Sequence, residues 1–185
     1  MPRYIAFLRA INVGGHTVKM DELRALFESL GFSKVETFIA SGNVIFETKS
    51  GKTQALQTRI EKLLHQSLGY EVATFIRTDA EVAAIAHYKP FTDSALQSAG
   101  ALNVAFLAEP LPGEAQKTLM RLKTDIDDFH AHGREVYWLC RKKQSESTFS
   151  NALFERTLKI QTTFRGFNTV LKLAAKYPSS LSQER

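Results

Sequence analysis

Residues 3–20 read RYIAFLRAINVGGHTVKM, and this stretch decides how the first part of the chain folds. The apolar run over 3–10 predicts a short buried strand, and a helix follows from about Asp21. The loop between them contains two cations, an amide and a pair of glycines: Arg9, Asn12, Gly14, Gly15 and Lys19. Glycines let backbone N–H groups approach a ligand closely, and a helix start adds donors and a positive dipole. The loop is therefore our candidate anion-binding site.

The composition indicates a globular protein with a packed core. Of the 185 residues, 44% are hydrophobic and 10% are aromatic, which excludes a disordered chain. The net charge of +5 favours anionic partners but is not clustered as in a dedicated nucleic-acid binder. Cys140 is the single cysteine, which excludes an intramolecular disulfide, and the first apolar run is too short to span a membrane. We therefore expect a soluble, cytoplasmic protein with no membrane segment.

The first half of the chain predicts the order β-α-β-β-α-β, followed by one more helix. We predict strands over 3–10, 34–40, 43–48 and 71–77, and helices from about Asp21, Thr53 and Asp79. Asp79 is expected to cap the third helix. The two middle strands meet across Ser41-Gly42-Asn43, which suits a tight hairpin. This order is typical of the ferredoxin-like plan, in which helices cover one face of an antiparallel sheet.

The same order restarts after a polar segment over 89–100, which we interpret as a linker. We predict strands over 102–108, 129–132, 135–141 and 161–165, and helices over 114–126, 151–159 and 168–177. The tripeptide AFL occurs at 6–8 and again at 105–107. We therefore predict an α+β protein of two tandem ferredoxin-like halves, 1–88 and 101–177, with antiparallel sheets, helices on one face and a flexible tail over 178–185.

The two halves differ after their first strands. Leu8 is followed by RAINVGGH, whereas Leu107 is followed by AEPLPG. Two prolines remove two backbone donors from the second loop, and Glu109 replaces positive charge with negative charge. An anion site at the end of a first strand is therefore expected only in the first half.

The chain resembles the family of domain of unknown function 1697. The resemblance rests on the segments YIAFLRAINVGG (4–15), TFIASGNVIF (37–46), NAL (151–153) and NTVLKL (168–173). It implies an α+β fold with ferredoxin-like subdomains, and it implies no activity, because the family has none that is established.

Further candidate ligand-binding residues lie outside the first loop. Asn43 can present its amide beside Arg9, although Ser41 and Asn43 also suit a simple hairpin turn. Arg165, Asn168 and Lys172 can form a second basic wall, although helix capping also explains Asn168 and the neighbouring Ser150 and Asn151.

The sequence assigns no catalytic residue and no cofactor. Asp128, His130 and His132 would share one face of a strand, but a helix end and an exposed hairpin suit solvated side chains, so we predict no metal site. No nucleophile–base set or carboxylate pair is evident.

Three functions remain open at this point. The first is a pocket near the first-strand loop for a small anionic or phosphorylated ligand. The second is binding of RNA, whose recognition domains share the β-α-β-β-α-β plan. The third is a non-catalytic scaffold that pairs through a sheet edge, and the oligomeric state is not assigned.

Overall fold

Two four-stranded antiparallel sheets form the framework of the computed structural model, which describes residues 1–12, 14–39, 42–49 and 51–179. The strands are Arg3–Leu8 (β1), Ser33–Thr37 (β2), Asn43–Glu47 (β3), Thr74–Thr78 (β4), Ala101–Phe106 (β5), Asp127–His132 (β6), Glu135–Cys140 (β7) and Thr163–Gly166 (β8). The helices are Met20–Ser29 (α1), Thr53–Leu68 (α2), Asp79–His87 (α3), Asp93–Ser98 (α4), Gly113–Met120 (α5), Asn151–Leu158 (α6) and Phe167–Lys176 (α7). The predicted α+β class is confirmed.

The first sheet has the order β2-β3-β1-β4, so β1 is a central strand. In its register Tyr4 lies opposite Phe46 on one side and Thr78 on the other. Alternate residues of β1 pack with α1 and α2 in one apolar cluster, because successive side chains of a strand point to opposite faces. The cluster includes Tyr4, Ala6, Leu8, Leu23, Phe27, Phe46, Leu56, Ile60 and Leu64.

The second sheet has the order β6-β7-β5-β8, with β5 in the place that β1 has in the first sheet. Here Asn103 lies opposite Trp138 and Gly166. Its apolar cluster joins β5, β6, β7 and β8 to α5 and α6 through Ala105, Leu107, Leu119, Phe129, Val136, Trp138, Phe154 and Phe164. Each sheet therefore buries one face under helices of its own.

The chain divides into two compact units. Among the described residues, 1–85 and 173–179 form the first unit, and 86–172 form the second. The segment 89–100, which we interpreted as a linker, contains the short helix α4. Thr92 Oγ1 caps this helix by accepting a hydrogen bond from the backbone N–H of Ala95. Of the predicted tail, Pro178 and Ser179 are described, and 180–185 lie outside the described residues.

The cap of α3 differs from the sequence prediction, in which Asp79 was the capping residue. Thr78 Oγ1 accepts from the backbone N–H of Glu81 at 3.1 Å, and Glu81 Oε2 accepts from the backbone N–H of Thr78 at 2.8 Å. This reciprocal pair is a capping box, which satisfies two donors at the helix start. The prediction of Asp79 as the cap was wrong, because the spacing Thr-x-x-Glu lets Thr78 and Glu81 cap the helix reciprocally, one residue earlier.

The helix α5 is shorter than the predicted 114–126, and β6 begins earlier than predicted. Thr124 Oγ1 accepts from the backbone N–H groups of Ile126 and Asp127, at 3.3 and 3.0 Å. Such local side-chain bonds compete with the helix. The apolar spacing that continued through Leu122 and Ile126 therefore does not extend the helix, which ends at Met120.

None of the described helices is both long enough and apolar enough to cross a membrane.

Candidate functional site

The loop after β1 lies at one end of the first sheet, between two neighbouring segments. The backbone N–H of Leu8 donates to Gly42 O at 2.9 Å, and that of Arg9 donates to Ala73 O at 2.9 Å. Gly42 has a φ of +80°, and a Cβ there would lie 2.8 Å from Ile11 Cγ2. The hairpin turn and the loop therefore pack closely, and glycine is required at the contact.

The loop is held at both of its ends. Asn12 Oδ1 accepts from the backbone N–H of Val18 at 2.8 Å, which closes the loop on itself. The Tyr70 hydroxyl donates to Ile11 O at 2.9 Å, and the His16 ring stacks on the Tyr70 ring with centroids 3.9 Å apart. Burial, with a smaller contribution from Glu22, raises the pKa of Tyr70, so its hydroxyl remains a donor at neutral pH.

The middle of the loop is open. Gly14 and Gly15 are exposed, with φ of +65° and +83°, and a Cβ at either would meet no atom within 4 Å. Among the described residues, the backbone N–H groups of residues 14–17 form no hydrogen bond. A run of backbone donors of this kind is the feature from which anion-binding loops are built.

The other predicted residues of this region have identifiable positions. Arg9 is half-buried and Lys19 is exposed next to the start of α1. Asn43 is fully buried, and its Nδ2 donates to Phe38 O at 2.9 Å across the hairpin. The Asn43 amide therefore stabilises the hairpin turn, which was the alternative to a ligand-binding role. The candidate Ser41 lies outside the described residues.

Arg165, Asn168 and Lys172 lie in three different environments. Arg165 is 7% exposed, its Nη1 donates to Thr163 Oγ1 and to Phe164 O, and burial lowers its pKa to about 10. Its neighbour Phe164 packs in the helix-side cluster, so Arg165 belongs to the opposite face of the sheet. Lys172 is exposed on α7.

Asn168 lies at a cavity of about 550 Å³ in the second unit. Its walls include Leu96, residues 99–103, Gln144, Gly166 and Phe167. Asn168 is the second residue of α7 and forms no side-chain hydrogen bond within the described part of the chain, so the expectation that it caps this helix was wrong. The polar residue Asn103 in the apolar strand ALNVAF was a signal for this cavity that sequence reasoning missed.

The capping predictions for α6 have mixed outcomes. Ser150 Oγ accepts from the backbone N–H of Leu153 at 3.1 Å, which confirms it as the cap. Asn151 instead donates from Nδ2 to Thr162 O at 3.2 Å, and its buried Oδ1 has no partner among the described residues.

A polar network that the sequence did not predict surrounds Asp127, which is 1% exposed. Its carboxylate accepts from Trp138 Nε1 at 2.8 Å, from Ser147 Oγ at 2.8 Å and from Thr124 Oγ1 at 2.9 Å. These three donors satisfy the buried carboxylate, so its burial needs no ligand to explain it. We therefore regard Asp127 as a structural residue.

The histidines of β6 are engaged by Tyr88. The Tyr88 hydroxyl lies 2.7 Å from His130 Nε2, and its ring stacks on that of His132 at 3.9 Å. Asp128 pairs with Lys123 and with Arg141. Within the described ranges, no three His, Cys, Asp or Glu side chains are grouped to hold a metal ion.

Comparison with known proteins gives a family and a fold. The sequence profile described as protein of unknown function (DUF1697) matches residues 1–137. The solved structure of a conserved bacterial protein from Streptococcus pneumoniae is similar to the whole chain, with a TM-score of 0.73 and 22% identity over 97% of this chain and 99% of that one. No curated protein matches significantly. Because the profile covers about three quarters of its length, the chain belongs to the DUF1697 family of proteins of unknown function.

Proposed function

We propose that the protein binds a small anionic ligand, with phosphorylated compounds as the favoured class, at the loop between β1 and α1. The observation that carries the proposal is the loop's closed base and open middle. Asn12 and Val18 close the base, and the N–H groups of 14–17 have no partner among the described residues. Backbone donors of this kind suit phosphate oxygens.

Charge around the loop supports the same class of ligand. Arg9 and Lys19 lie at its two ends, and α1 begins directly after Lys19 with Met20. A guanidinium and an ammonium add long-range attraction for anions, which salt weakens. Arg165 and Lys172 are not needed for this site, since the proposal rests on the first unit alone.

Titration of the full-length ¹⁵N-labelled protein with inorganic pyrophosphate tests the proposal. We expect saturable shifts of the backbone amides of 14–17. Lys19→Gln should weaken binding several-fold at low salt, because it removes one charge beside the loop without removing a hydrogen bond of α1's cap. Lys62→Gln is the matched control, since Lys62 is an exposed lysine on α2. Equal weakening by the two variants, or shifts that chloride reproduces at the same ionic strength, would reject the site.

We further propose that each unit is a copy of one ferredoxin-like plan. The matching strand orders, with the first strand of each unit between its third and fourth, support this proposal. So do two buried arginines: Arg77 lies opposite Ile5, Arg165 lies opposite Val104, and each donates from Nη1 to the carbonyl of the preceding residue. Native-state hydrogen exchange of the full-length protein, with one shared opening free energy expected for the core amides of each unit, tests whether the plan is a folding unit.

A further inference from the structure

The loop after β1 carries an aromatic ring beside its open backbone donors. His16 lies within the segment 14–17, and its side chain is exposed. Its ring stacks on the ring of Tyr70, with centroids 3.9 Å apart and planes inclined at 26°. Tyr70 comes directly after Gly69, the left-handed residue that ends α2. The stack therefore connects the loop after β1 to the segment after α2.

Tyr70 fixes the position of this stack. Its ring packs against the apolar cluster of the first sheet, and its hydroxyl donates to Ile11 O at 2.9 Å. The backbone N–H of Arg9 donates to Ala73 O, which is a second bond between the same two segments. Because Tyr70 is tied both to the core and to the base of the loop, the His16 ring is held near the loop's N–H groups before a ligand arrives. Such pre-organisation lowers the entropic cost of binding.

One face of the His16 ring is open. Tyr70 covers the other face, and no further ring contacts His16 within the described ranges. An exposed aromatic face binds another flat ring by stacking, and it accepts any nucleobase because every base has a π face. The loop therefore offers a stacking surface in addition to its backbone donors.

The spacing of these two features limits the size of the ligand. The donors and the ring belong to four consecutive residues, 14–17, which span at most about 14 Å when fully extended. A phosphate on the N–H groups and a flat ring on His16 therefore fit within one small molecule. In a nucleotide, the ribose separates the phosphate from the base by a distance of this kind.

The charges around the loop favour a single nucleotide over a nucleic-acid chain. Arg9 and Lys19 supply positive charge at its two ends, but Asp21 and Glu22 follow in the first turn of α1. Glu22 lies close enough to Tyr70 to contribute to the raised pKa of its hydroxyl. A polynucleotide brings one negative charge with each nucleotide, and the charges beyond the first would meet these carboxylates.

We propose that the loop binds a nucleoside monophosphate, whose phosphate accepts from the N–H groups of 14–17 and whose base stacks on the open face of His16. The inference rests on the proposed anion site and adds a base-binding ring to it.

Three probes of the full-length ¹⁵N-labelled protein separate the two proposals: AMP, ribose 5-phosphate and adenosine. We expect AMP to shift the amides of 14–17 saturably and to bind roughly fivefold or more tightly than ribose 5-phosphate, because stacking adds to the phosphate contact. Adenosine, which lacks the phosphate, should bind more weakly than AMP by about tenfold or more. Equal affinities of AMP and ribose 5-phosphate would overturn the base-binding role and leave the anion site standing. Absence of saturable shifts with both phosphates would reject the anion site, and the inference with it.

Variants of His16 connect the preference for AMP to the ring. His16→Ala should reduce the ratio of the AMP and ribose 5-phosphate affinities to about one, whereas His16→Phe, which keeps a flat ring, should preserve it. His65→Ala is the matched control, since His65 is an exposed histidine in the last turn of α2. A preference for AMP that survives in the folded His16→Ala variant, or that His65→Ala removes equally, would overturn the proposal.

A 5′-phosphorylated trinucleotide of adenosine tests RNA as the alternative ligand. It should bind no more tightly than AMP, because the acidic first turn of α1 follows the loop. Binding more than about tenfold tighter than that of AMP, with a steep dependence on salt, would overturn the assignment to a single nucleotide.

Discussion

Tyr4 and Asn103 lie at corresponding places in two sheets of the same strand order, yet their surroundings differ. Tyr4 is 2% exposed and its ring stacks on Phe46 at 5.7 Å. Asn103 lies opposite Trp138 and beside a cavity. The first unit fills this place with an aromatic ring, and the second leaves it open and polar.

The same contrast extends to the ends of the edge strands beside these residues. Thr78, opposite Tyr4, begins the capping box of α3. Gly166, opposite Asn103, precedes α7 and has no side chain with which to cap it. The same strand order can therefore lead into a capped helix in one unit and an uncapped helix in the other, and the difference lies in a few side chains.

The largest expected effect comes from giving the first sheet the residue of the second. Tyr4→Asn removes the ring that stacks on Phe46 and leaves a polar amide in the apolar cluster of the first sheet. We expect a loss of about 4 kcal/mol in the free energy of unfolding, the range for deleting a large buried aromatic. Urea unfolding followed by circular dichroism measures it, with Tyr4→Phe as the control that retains the ring. A loss under about 1 kcal/mol would mean that the two positions are interchangeable.

The second effect concerns Phe46 and Trp138, which lie opposite Tyr4 and Asn103 in the two sheets. Phe46 has no polar atom, whereas Trp138 donates from Nε1 to the buried carboxylate of Asp127. Asp127→Ala leaves Trp138, Ser147 and Thr124 without their acceptor, and we expect a loss of about 3 kcal/mol. Because Trp138 is the single tryptophan, its fluorescence follows the unfolding of the second unit. Ser147→Ala, which removes one donor alone, should cost less than half as much.

A smaller effect is expected at the capped helix. Thr78→Ala removes the acceptor for the N–H of Glu81, and we expect a loss of about 1 kcal/mol in the free energy of unfolding. Thr78→Ser is the control, because it keeps the hydroxyl. If the alanine and serine variants are equally stable, the capping box does not distinguish the first unit from the second.

The smallest effect is expected where the cap is absent. Gly166→Ser should stabilise the protein by only a few tenths of a kcal/mol, since glycine is itself an acceptable residue before a helix. The measurement is the midpoint of urea unfolding detected at Trp138, and Gly166→Ala separates the hydroxyl from the effect of removing glycine. A gain above about 2 kcal/mol would show that the open end is costly.

Much of the fold follows from local sequence patterns. The alternation of apolar residues and the turn glycines located all eight strands and all of the α-helices except α4, within the described ranges, because those patterns act over a few residues. Boundaries failed where a side chain competes with the backbone, as Thr124 does after α5.

The candidate binding residues also divide into those that a local sequence pattern indicates and those that only the fold brings together. The loop from Arg9 to Lys19 was recognisable from its glycines and cations, and its anion-binding role remains a prediction. For the cavity at Asn103 the sequence offers only one signal, a polar residue in an apolar strand, because the walls come from separate segments of the chain and exist only after the second sheet has formed.

The sequence by itself determined the α+β class, the strand and helix order and the family, since each depends on patterns along the chain. The tertiary structure alone decided which polar side chains satisfy one another. Asn12 and Asn43 bond to backbone groups five or six residues away, and Asp127 collects donors from three segments. Asn103 has the same chemistry as Asn43, but the fold places it beside a helix start rather than within a hairpin. Partnership of this kind depends on distances that only the folded chain fixes.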